Sequence, residues 1–132
     1  MIIVDASILA NALADDGADG AVARTRLAGA GELAAPDLID VETVAVLRKR
    51  WIAGDLTDQR FSDAIEDLED LDLTRYPTLP LMRRAFELRA NVTAYDATYV
   101  VLAERLDCTL LTADQRLATA PTITCAVEVL HP

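Results

Sequence analysis

The first ten residues, MIIVDASILA (1–10), contain the pattern on which the fold depends. Ile2, Ile3 and Val4 form a continuous β-branched run, which is typical of a strand buried on both faces of a parallel sheet. The run ends at Asp5, and a helical pattern that Ser7 can cap follows it to about residue 14. Because a strand that leads directly into a helix begins a βαβ unit, this stretch predicts an α/β protein.

The same alternation of short apolar strands and helices continues along the chain. Further strands are predicted near residues 33–35, within 71–77, and at 109–112 and 126–129. Helices are predicted at about 18–27, 38–53, 58–71, 79–90 and 94–106, with a short one ending at 120. This order favours one parallel sheet with helices on both faces. At 132 residues, with no linker or internal repeat, the chain is expected to be one domain, residues 1–132.

Composition and charge exclude several classes of protein. The chain is 52% hydrophobic and 26% charged, which is typical of a globular protein, and no apolar run approaches the ~20 residues that span a bilayer. Its 22 acids and 12 bases give a net charge of −10, which argues against nucleic-acid binding through a broad basic face. A nuclease whose metal ions meet the phosphate locally stays compatible with that charge. The one histidine, His131, argues against histidine-based hydrolases and a histidine-ligated zinc site.

Features of the N-terminus and of the cysteines indicate the compartment. The N-terminus has neither a basic segment nor a signal-type cleavage site. Cys108 and Cys125 form no CxxC pair and no disulfide framework, so they are expected to be reduced thiols packed as small hydrophobes. We therefore expect a cytoplasmic protein with no membrane association.

Two aspartates follow predicted strands at the points where those strands end. Asp5 comes directly after the first strand, and Asp114 comes two residues after the strand that ends at Thr112. In open α/β sheets, ligands bind beyond the carboxyl ends of the strands where the strand order reverses. If the two strands are neighbours, these carboxylates meet there. An aspartate at such a junction also commonly caps the following helix, so both interpretations stay open for Asp5 and for Asp114.

Two more acids are predicted to point inward from helices. Glu42 falls within an apolar arc of its helix, and a carboxylate there is costly unless it is paired with an arginine or amide or bound to a metal. The other members of that arc are Leu38, Val41, Ala45 and Val46. Asp96 shares one side of its helix with Tyr99, although Thr93 and Asp96 also match the spacing of a capping box. Four such acids favour a hard cation such as Mg²⁺, because oxygen ligands suit it and the acids repel one another without it.

Four segments of the chain, in this order, resemble the PIN-domain ribonucleases, and especially the toxin half of VapBC toxin–antitoxin pairs. The segments are IVDASIL (3–9), PDLIDVETVAVL (36–47), AYDATYVVLAERL (94–106) and LLTADQRL (110–117). The resemblance covers nearly the whole chain in length, order and spacing. It implies a single PIN-like α/β domain whose parallel sheet has the strand order 3-2-1-4-5.

The resemblance also implies a set of site residues. The acidic quartet of that family falls on Asp5, Glu42, Asp96 and Asp114. Thr112 falls on the Ser or Thr that precedes the last acid by two residues, and Asn11 falls near a polar position of the first helix. The implied activity is cleavage of RNA with Mg²⁺ or Mn²⁺. In that scheme Asp5 and Asp96 are the main metal ligands, Asp114 assists, and Glu42 holds a ligand water or acts as general base.

The partners implied by the resemblance are RNA, a cognate antitoxin and a second copy of the chain. Arg116, just after Asp114, is the arginine best placed to line the approach of RNA to the carboxylates. An apolar stripe in an acidic segment is either an antitoxin contact or part of the core, and its members are Leu56, Phe61, Ile65, Leu68 and Leu71.

Two other functions are compatible with a small acidic α/β domain. A non-catalytic interaction module of the same fold stays open, whereas a receiver-like phosphorylation switch is disfavoured because the only lysine, Lys49, lies in mid-helix.

Overall fold

A computed structural model describes residues 1–131 and confirms the predicted α/β architecture. Its five strands are β1 (Ile2–Val4), β2 (Leu33–Pro36), β3 (Thr74–Tyr76), β4 (Thr109–Thr112) and β5 (Val127–Val129). Neighbouring strands all pair in parallel, in the order β3-β2-β1-β4-β5 that the resemblance implied. The predicted domain ends at Pro132, which lies outside the described residues.

The helices cover both faces of this sheet. They are α1 (Ala6–Ala14), α2 (Ala18–Ala28), α3 (Leu38–Ile52), α4 (Asp58–Asp70), α5 (Met82–Glu87), α6 (Ala94–Leu106) and α7 (Gln115–Ala118). On one side α1 and α3 contact the sheet, and α2 and α4 pack against them. On the other side α6 lies over the three central strands and α5 packs against α6. Within residues 1–131, no helix combines the length and the apolarity needed to cross a bilayer.

The central strands are apolar because helices cover them from both sides. Ile3 and Val4 of β1 and Leu110 and Leu111 of β4 have no exposed surface. Burying each such side chain stabilises the fold by about 1.5–3 kcal/mol relative to leaving it exposed. The outer strands are half-buried and carry charges, and both of those charges are paired. Arg75 of β3 binds Asp40 at 2.8 Å, and Glu128 of β5 binds Arg26 at 2.6 Å.

Two local predictions are wrong. Asp5, rather than Ser7, caps α1: its carboxylate accepts from the Ile8 backbone N–H at 3.2 Å, while the Ser7 hydroxyl donates to the Asp5 carboxylate. The helix begins directly at the end of β1, which leaves no room for a later cap. The helix predicted at 79–90 is instead a 3-10 turn, Leu79–Leu81, followed by α5. It stops early because the chain turns after Leu88 to reach the cap of α6.

A glycine in α2 allows close contact with the turn that precedes it. A Cβ on Gly20 would lie 1.7 Å from the backbone oxygen of Asp15. That oxygen also accepts from Arg24 Nη1 at 2.7 Å, so it is held in place. At Gly29, just after the same helix, the nearest atoms to an added Cβ are 3.9 Å away.

We predict that Gly20→Ala lowers the free energy of unfolding by about 2 kcal/mol or more, because overpacking outweighs the gain in helix propensity. The control, Gly29→Ala, should leave stability unchanged or slightly raised. Urea denaturation followed by circular dichroism measures both. Equal stabilities of the two variants would contradict the close packing of α2 on Asp15.

Candidate active site

The strand order brings two of the predicted site residues to one edge of the sheet. Strands β1 and β4 are neighbours, with Val4 opposite Leu111, and the chain order of the strands reverses between them. The Asp5 backbone N–H donates to the Leu111 carbonyl at 3.1 Å, so Asp5 continues the pairing past the end of β1. Asp5 and Asp114 therefore lie at the position where open α/β sheets bind their ligands.

Thr112 connects these two aspartates. It is completely buried, and its hydroxyl donates to Oδ2 of Asp5 and accepts from the backbone N–H of Asp114 at 3.0 Å. The Asp5 carboxyl is itself buried, and burial raises its pKa although hydrogen bonds from Ser7 and Thr112 oppose that rise. Asp5 is therefore held rigidly at the centre of the site, and its negative charge is costly.

Glu42 reaches the site from α3. It shares a groove with Leu38, Val41, Ala45 and Val46, the arc that the sequence predicted, but this arc is not the core-facing side of the helix. The buried face of α3 consists of Ile39, Thr43 and Leu47, whereas Val41 is 72% exposed. The predicted arc is the more open side of α3: Val41 and Ala45 are exposed, whereas Leu38 and Val46 are partly buried against the core. Glu42 lies at the border between the two faces and is half-buried. Its Oε1 atom is nevertheless buried and has no hydrogen-bond partner within residues 1–131.

Tyr99 is a site residue whose role the sequence did not show. Its hydroxyl is buried without a hydrogen-bond partner in the described structure, and it lies beside the Glu42 carboxyl. Burial raises the pKa of Glu42, and the charges of Asp96 and Asp5 raise it further, while Tyr99 lowers it. Burial and the neighbouring Glu42 raise the pKa of Tyr99, so this phenol stays protonated and can donate to the carboxylate. The sequence did contain a signal for this role: Tyr99 follows Asp96 by three residues, which places the two on the same side of α6.

Asp96 stands in the first turn of α6. Thr93 caps that helix, accepting from the Asp96 backbone N–H at 3.2 Å, so the predicted cap is confirmed. Burial raises the pKa of the Asp96 carboxyl, and the nearby charges of Asp114 and Asp5 raise it further. The pKa of Asp96 therefore depends on the charges of Asp114 and Asp5 as well as on burial.

Asp114 is both a cap and a member of this group. Its carboxylate accepts from the Arg116 backbone N–H at 3.0 Å at the start of α7, and the Arg116 guanidinium binds both carboxylate oxygens at 2.8–3.0 Å. The hydrogen bond from Arg116 lowers the pKa of Asp114. Because the Arg116 side chain is 88% exposed, this ion pair is open to solvent and weak enough to exchange. Arg116 thus lies beside Asp114, and its predicted role in the approach of RNA stays a prediction.

The chemistry of this donor set fits a hard divalent cation. All four groups are carboxylates, three of them have raised pKa values, and Glu42 Oε1 is a buried acceptor with no donor. A cation relieves each of these penalties at once. As the side chains stand in residues 1–131, no three of them converge closely enough to form a ready metal cage. The carboxylate of Asp5 accepts from Thr112, and that of Asp114 accepts from Arg116.

A small cavity of about 120 Å³ opens beside Asp96 and Asp114. Its wall consists of Asn91, Val92, Thr93, Asp96, Asp114, Arg116, Leu117 and Ala120.

Asn11 lies away from this cavity. Its Oδ1 accepts from Arg50 at 2.6 Å, in an acidic groove that contains none of the four site carboxylates. The supporting role predicted for Asn11 stays a prediction.

Residues 2–122 of the sequence match the PIN domain. The chain belongs to the PIN-domain family. Among its relatives, ribonuclease VapC9 of Mycobacterium tuberculosis is 41% identical over 130 residues, which cover 98% of each chain. Ribonuclease VapC1 of the same species is 39% identical over 130 residues, covering 98% of this chain and 97% of the relative. These relatives confirm the resemblance to VapC proteins.

Solved structures share the fold of this PIN domain. PAE2754 from Pyrobaculum aerophilum superposes with a TM-score of 0.70 at 25% identity, over 97% of this chain and 83% of that protein. VapBC2 from Rickettsia felis, solved bound to a DNA fragment from its promoter, gives a TM-score of 0.67 at 16% identity. That match covers 99% of this chain and 100% of the other, and it supports the fold alone.

The raised pKa of Asp96 predicts that its charge destabilises the metal-free PIN domain. Because the folded pKa lies above the ordinary value of 3.8, the folded state binds more protons, so stability falls as pH rises between these two values. We predict that Asp96→Asn, in EDTA at pH 7, raises the melting temperature by roughly 3–5 °C. The gain should disappear below about pH 4, where the wild-type carboxyl is protonated.

The matched control is Asp67→Asn, which removes one exposed charge from the acidic face of α4. It should leave the melting temperature nearly unchanged at both pH values. A rise equal to that of Asp96→Asn would attribute the effect to the net charge of −10 rather than to the site. Differential scanning fluorimetry across pH 3.5–8 measures the two variants side by side.

Proposed function

We propose that this protein is a Mg²⁺- or Mn²⁺-dependent endoribonuclease and the toxin of a toxin–antitoxin pair. The observation that carries the proposal is the set of four carboxyl groups near the strand-order reversal. Burial raises the pKa values of three of them, and neighbouring carboxylates raise those of Glu42 and Asp96 further. Relatives named ribonuclease VapC at 39–41% identity support the substrate class. The non-catalytic module of the same fold is the alternative that the experiment below separates.

In the proposed mechanism each side chain has a distinct role. Asp5 and Asp96 hold the cation, Asp114 assists, and Thr112 keeps Asp5 oriented through its hydroxyl. A cation held by these residues would lower the pKa of a bound water and neutralise charge on the scissile phosphate. Glu42, whose carboxyl faces no donor except the nearby Tyr99, accepts the proton of the attacking water. The water oxygen bonds to phosphorus as the bond to the leaving ribose oxygen breaks.

Arg116 has a proposed role in holding RNA. Its guanidinium is exposed and binds Asp114 in the absence of other ligands. An incoming phosphate offers the same bidentate geometry as that carboxylate. Exchange of Arg116 from Asp114 to the phosphate would free Asp114 for the cation, which couples RNA binding to assembly of the metal site.

We predict metal-dependent cleavage of total RNA, abolished by EDTA and restored by Mg²⁺ or Mn²⁺. Glu42→Gln should reduce the cleavage rate at least about 100-fold, because it removes the proton acceptor while keeping the shape of the side chain. Asp5→Asn should reduce it similarly through loss of a ligand. Asp67→Asn serves as the control and should cleave as the wild type does. Cleavage that persists in EDTA would contradict the metal-dependent mechanism. Absence of cleavage with every metal and RNA tested would favour the non-catalytic module.

Two protein partners belong to the same proposal. A groove of about 440 Å³ between α3 and α4 suits an amphipathic antitoxin segment, and its walls are Val44, Arg48, Trp51, Asp58, Phe61, Ser62 and Ile65. The apolar stripe predicted from the sequence has two parts: Leu56 and Leu68 belong to the core, whereas Phe61, Ile65 and Leu71 are only partly buried.

For the proposed homodimer, the support is the exposed apolar surface of α3 beside Tyr95, which is also a groove of about 440 Å³. We propose a cytosolic location because Cys108 and Cys125 are free thiols in the described chain.

We predict that Phe61→Glu weakens binding of the cognate antitoxin at least tenfold, because a charge in the groove cannot be buried without a partner. Isothermal titration calorimetry with the purified antitoxin measures the change. Leu79→Glu, on an exposed residue elsewhere, is the control and should bind normally. A cooperative melt of Phe61→Glu shows that the fold is intact, and its loss would instead assign Phe61 to the core.

A further inference from the structure

An exposed aromatic ring lies between two arginines at the end of α5. Phe86 is 54% exposed, which is unusual for so large an apolar side chain in a solvated helix. The Arg89 guanidinium carbon lies 4.1 Å from the centre of its ring, and that of Arg83 lies 6.0 Å away. Arg89 is fixed there because its Nη1 donates to the Phe86 carbonyl at 3.0 Å. The result is a planar, positively charged stack that faces solvent.

This stack adjoins the carboxylate site. Phe86 and Arg89 line a groove of about 340 Å³ whose wall continues through Val92 and Thr93. Val92 and Thr93 also line the cavity that contains Asp96 and Asp114. Thr93 is the cap that holds the first turn of α6 and with it Asp96. A chain that leaves the carboxylates along this wall therefore meets Phe86 next.

The charges of Arg83 and Arg89 are available to a ligand. Within residues 1–131 neither forms an ion pair with an acid, whereas the adjacent Arg84 is bound to Glu104 at 3.1 Å. In a chain of net charge −10 with a carboxylate site, a polyanionic ligand needs attraction outside the metal centre. Two unpaired arginines beside an open aromatic ring provide that attraction.

We propose that Arg83, Phe86 and Arg89 form a subsite for an unpaired nucleotide of the RNA substrate. One base stacks on an exposed face of the Phe86–Arg89 pair, and Arg83 contacts a neighbouring phosphate. Aromatic rings and guanidinium planes bind single-stranded bases in this way, and a base inside a duplex has no free face for them. This proposal rests on the proposed ribonuclease function, since it assigns the strand that enters the same site.

The test measures RNA binding separately from cleavage. A labelled single-stranded oligoribonucleotide is titrated in EDTA with the full chain carrying Glu42→Gln, and fluorescence anisotropy gives the dissociation constant. Phe86→Ala should weaken binding about tenfold, and Phe86→Trp should restore it. Arg89→Ala should weaken binding, and Arg89→Lys should recover only part of the loss because lysine keeps the charge but not the plane. A fully paired RNA duplex should bind weakly, with little change between these variants.

Leu79→Ala and Arg105→Ala are the matched controls, since both residues are exposed and lie outside this groove. They should bind single-stranded RNA as the parent does. Unchanged binding of Phe86→Ala overturns the subsite, whatever the cleavage assay shows. A tenfold loss supports the subsite even if cleavage is absent, in which case only the catalytic proposal fails. Light scattering completes the test: if Phe86→Ala converts a dimer to a monomer, the ring belongs to an interface between copies and the subsite is wrong.

Discussion

The hydrogen bond from the Thr112 hydroxyl to the Asp5 carboxylate joins the two central strands at the point where the site is built. It depends on the parallel pairing of β1 with β4, which aligns Val4 with Leu111 and so brings the ends of both strands to one level. The same hydroxyl accepts from the backbone of Asp114, so one buried side chain sets the positions of two acids. Asp5 also caps α1, and the direction of the first helix is therefore coupled to the same contact.

Stability and proposed function oppose each other at this edge of the sheet. Burial raises the pKa values of Asp5, Glu42 and Asp96, which means that their ionised forms cost free energy in the folded chain. The apolar contacts of β1, β4 and α6 offset that cost because their side chains are almost completely buried. In the proposed function, a bound cation would compensate the charge of these acids and so offset their cost to stability.

Sequence patterns predicted the strands and helices well, but they predicted less well which face of a helix is buried and which residue caps it. The β-branched run at Ile2 and the alternation of strands with helices were strong signals, since a doubly covered strand has to be apolar throughout. Glu42 does share an arc with Leu38, Val41, Ala45 and Val46, but the expectation that this arc faces the core was wrong. Helix α3 has apolar residues on more than one face, and periodicity alone cannot tell which apolar face is buried. Ser7 and Asp5 were both possible caps of the first helix because both residue types suit that position, and only the backbone geometry selects Asp5.

By itself the sequence determined which chemical groups are present: four acids near strand ends or in the first turns of helices, and one histidine near the C-terminus. Its apolar runs also determined that the chain forms a parallel sheet. Only the tertiary structure decided which of these groups meet. Tyr99 beside Glu42, and Phe86 on the wall that leads to Asp96, are relations between different elements. Such distances depend on how helices pack across the sheet, and local patterns of 2 or 3.6 residues per repeat carry no information about that packing.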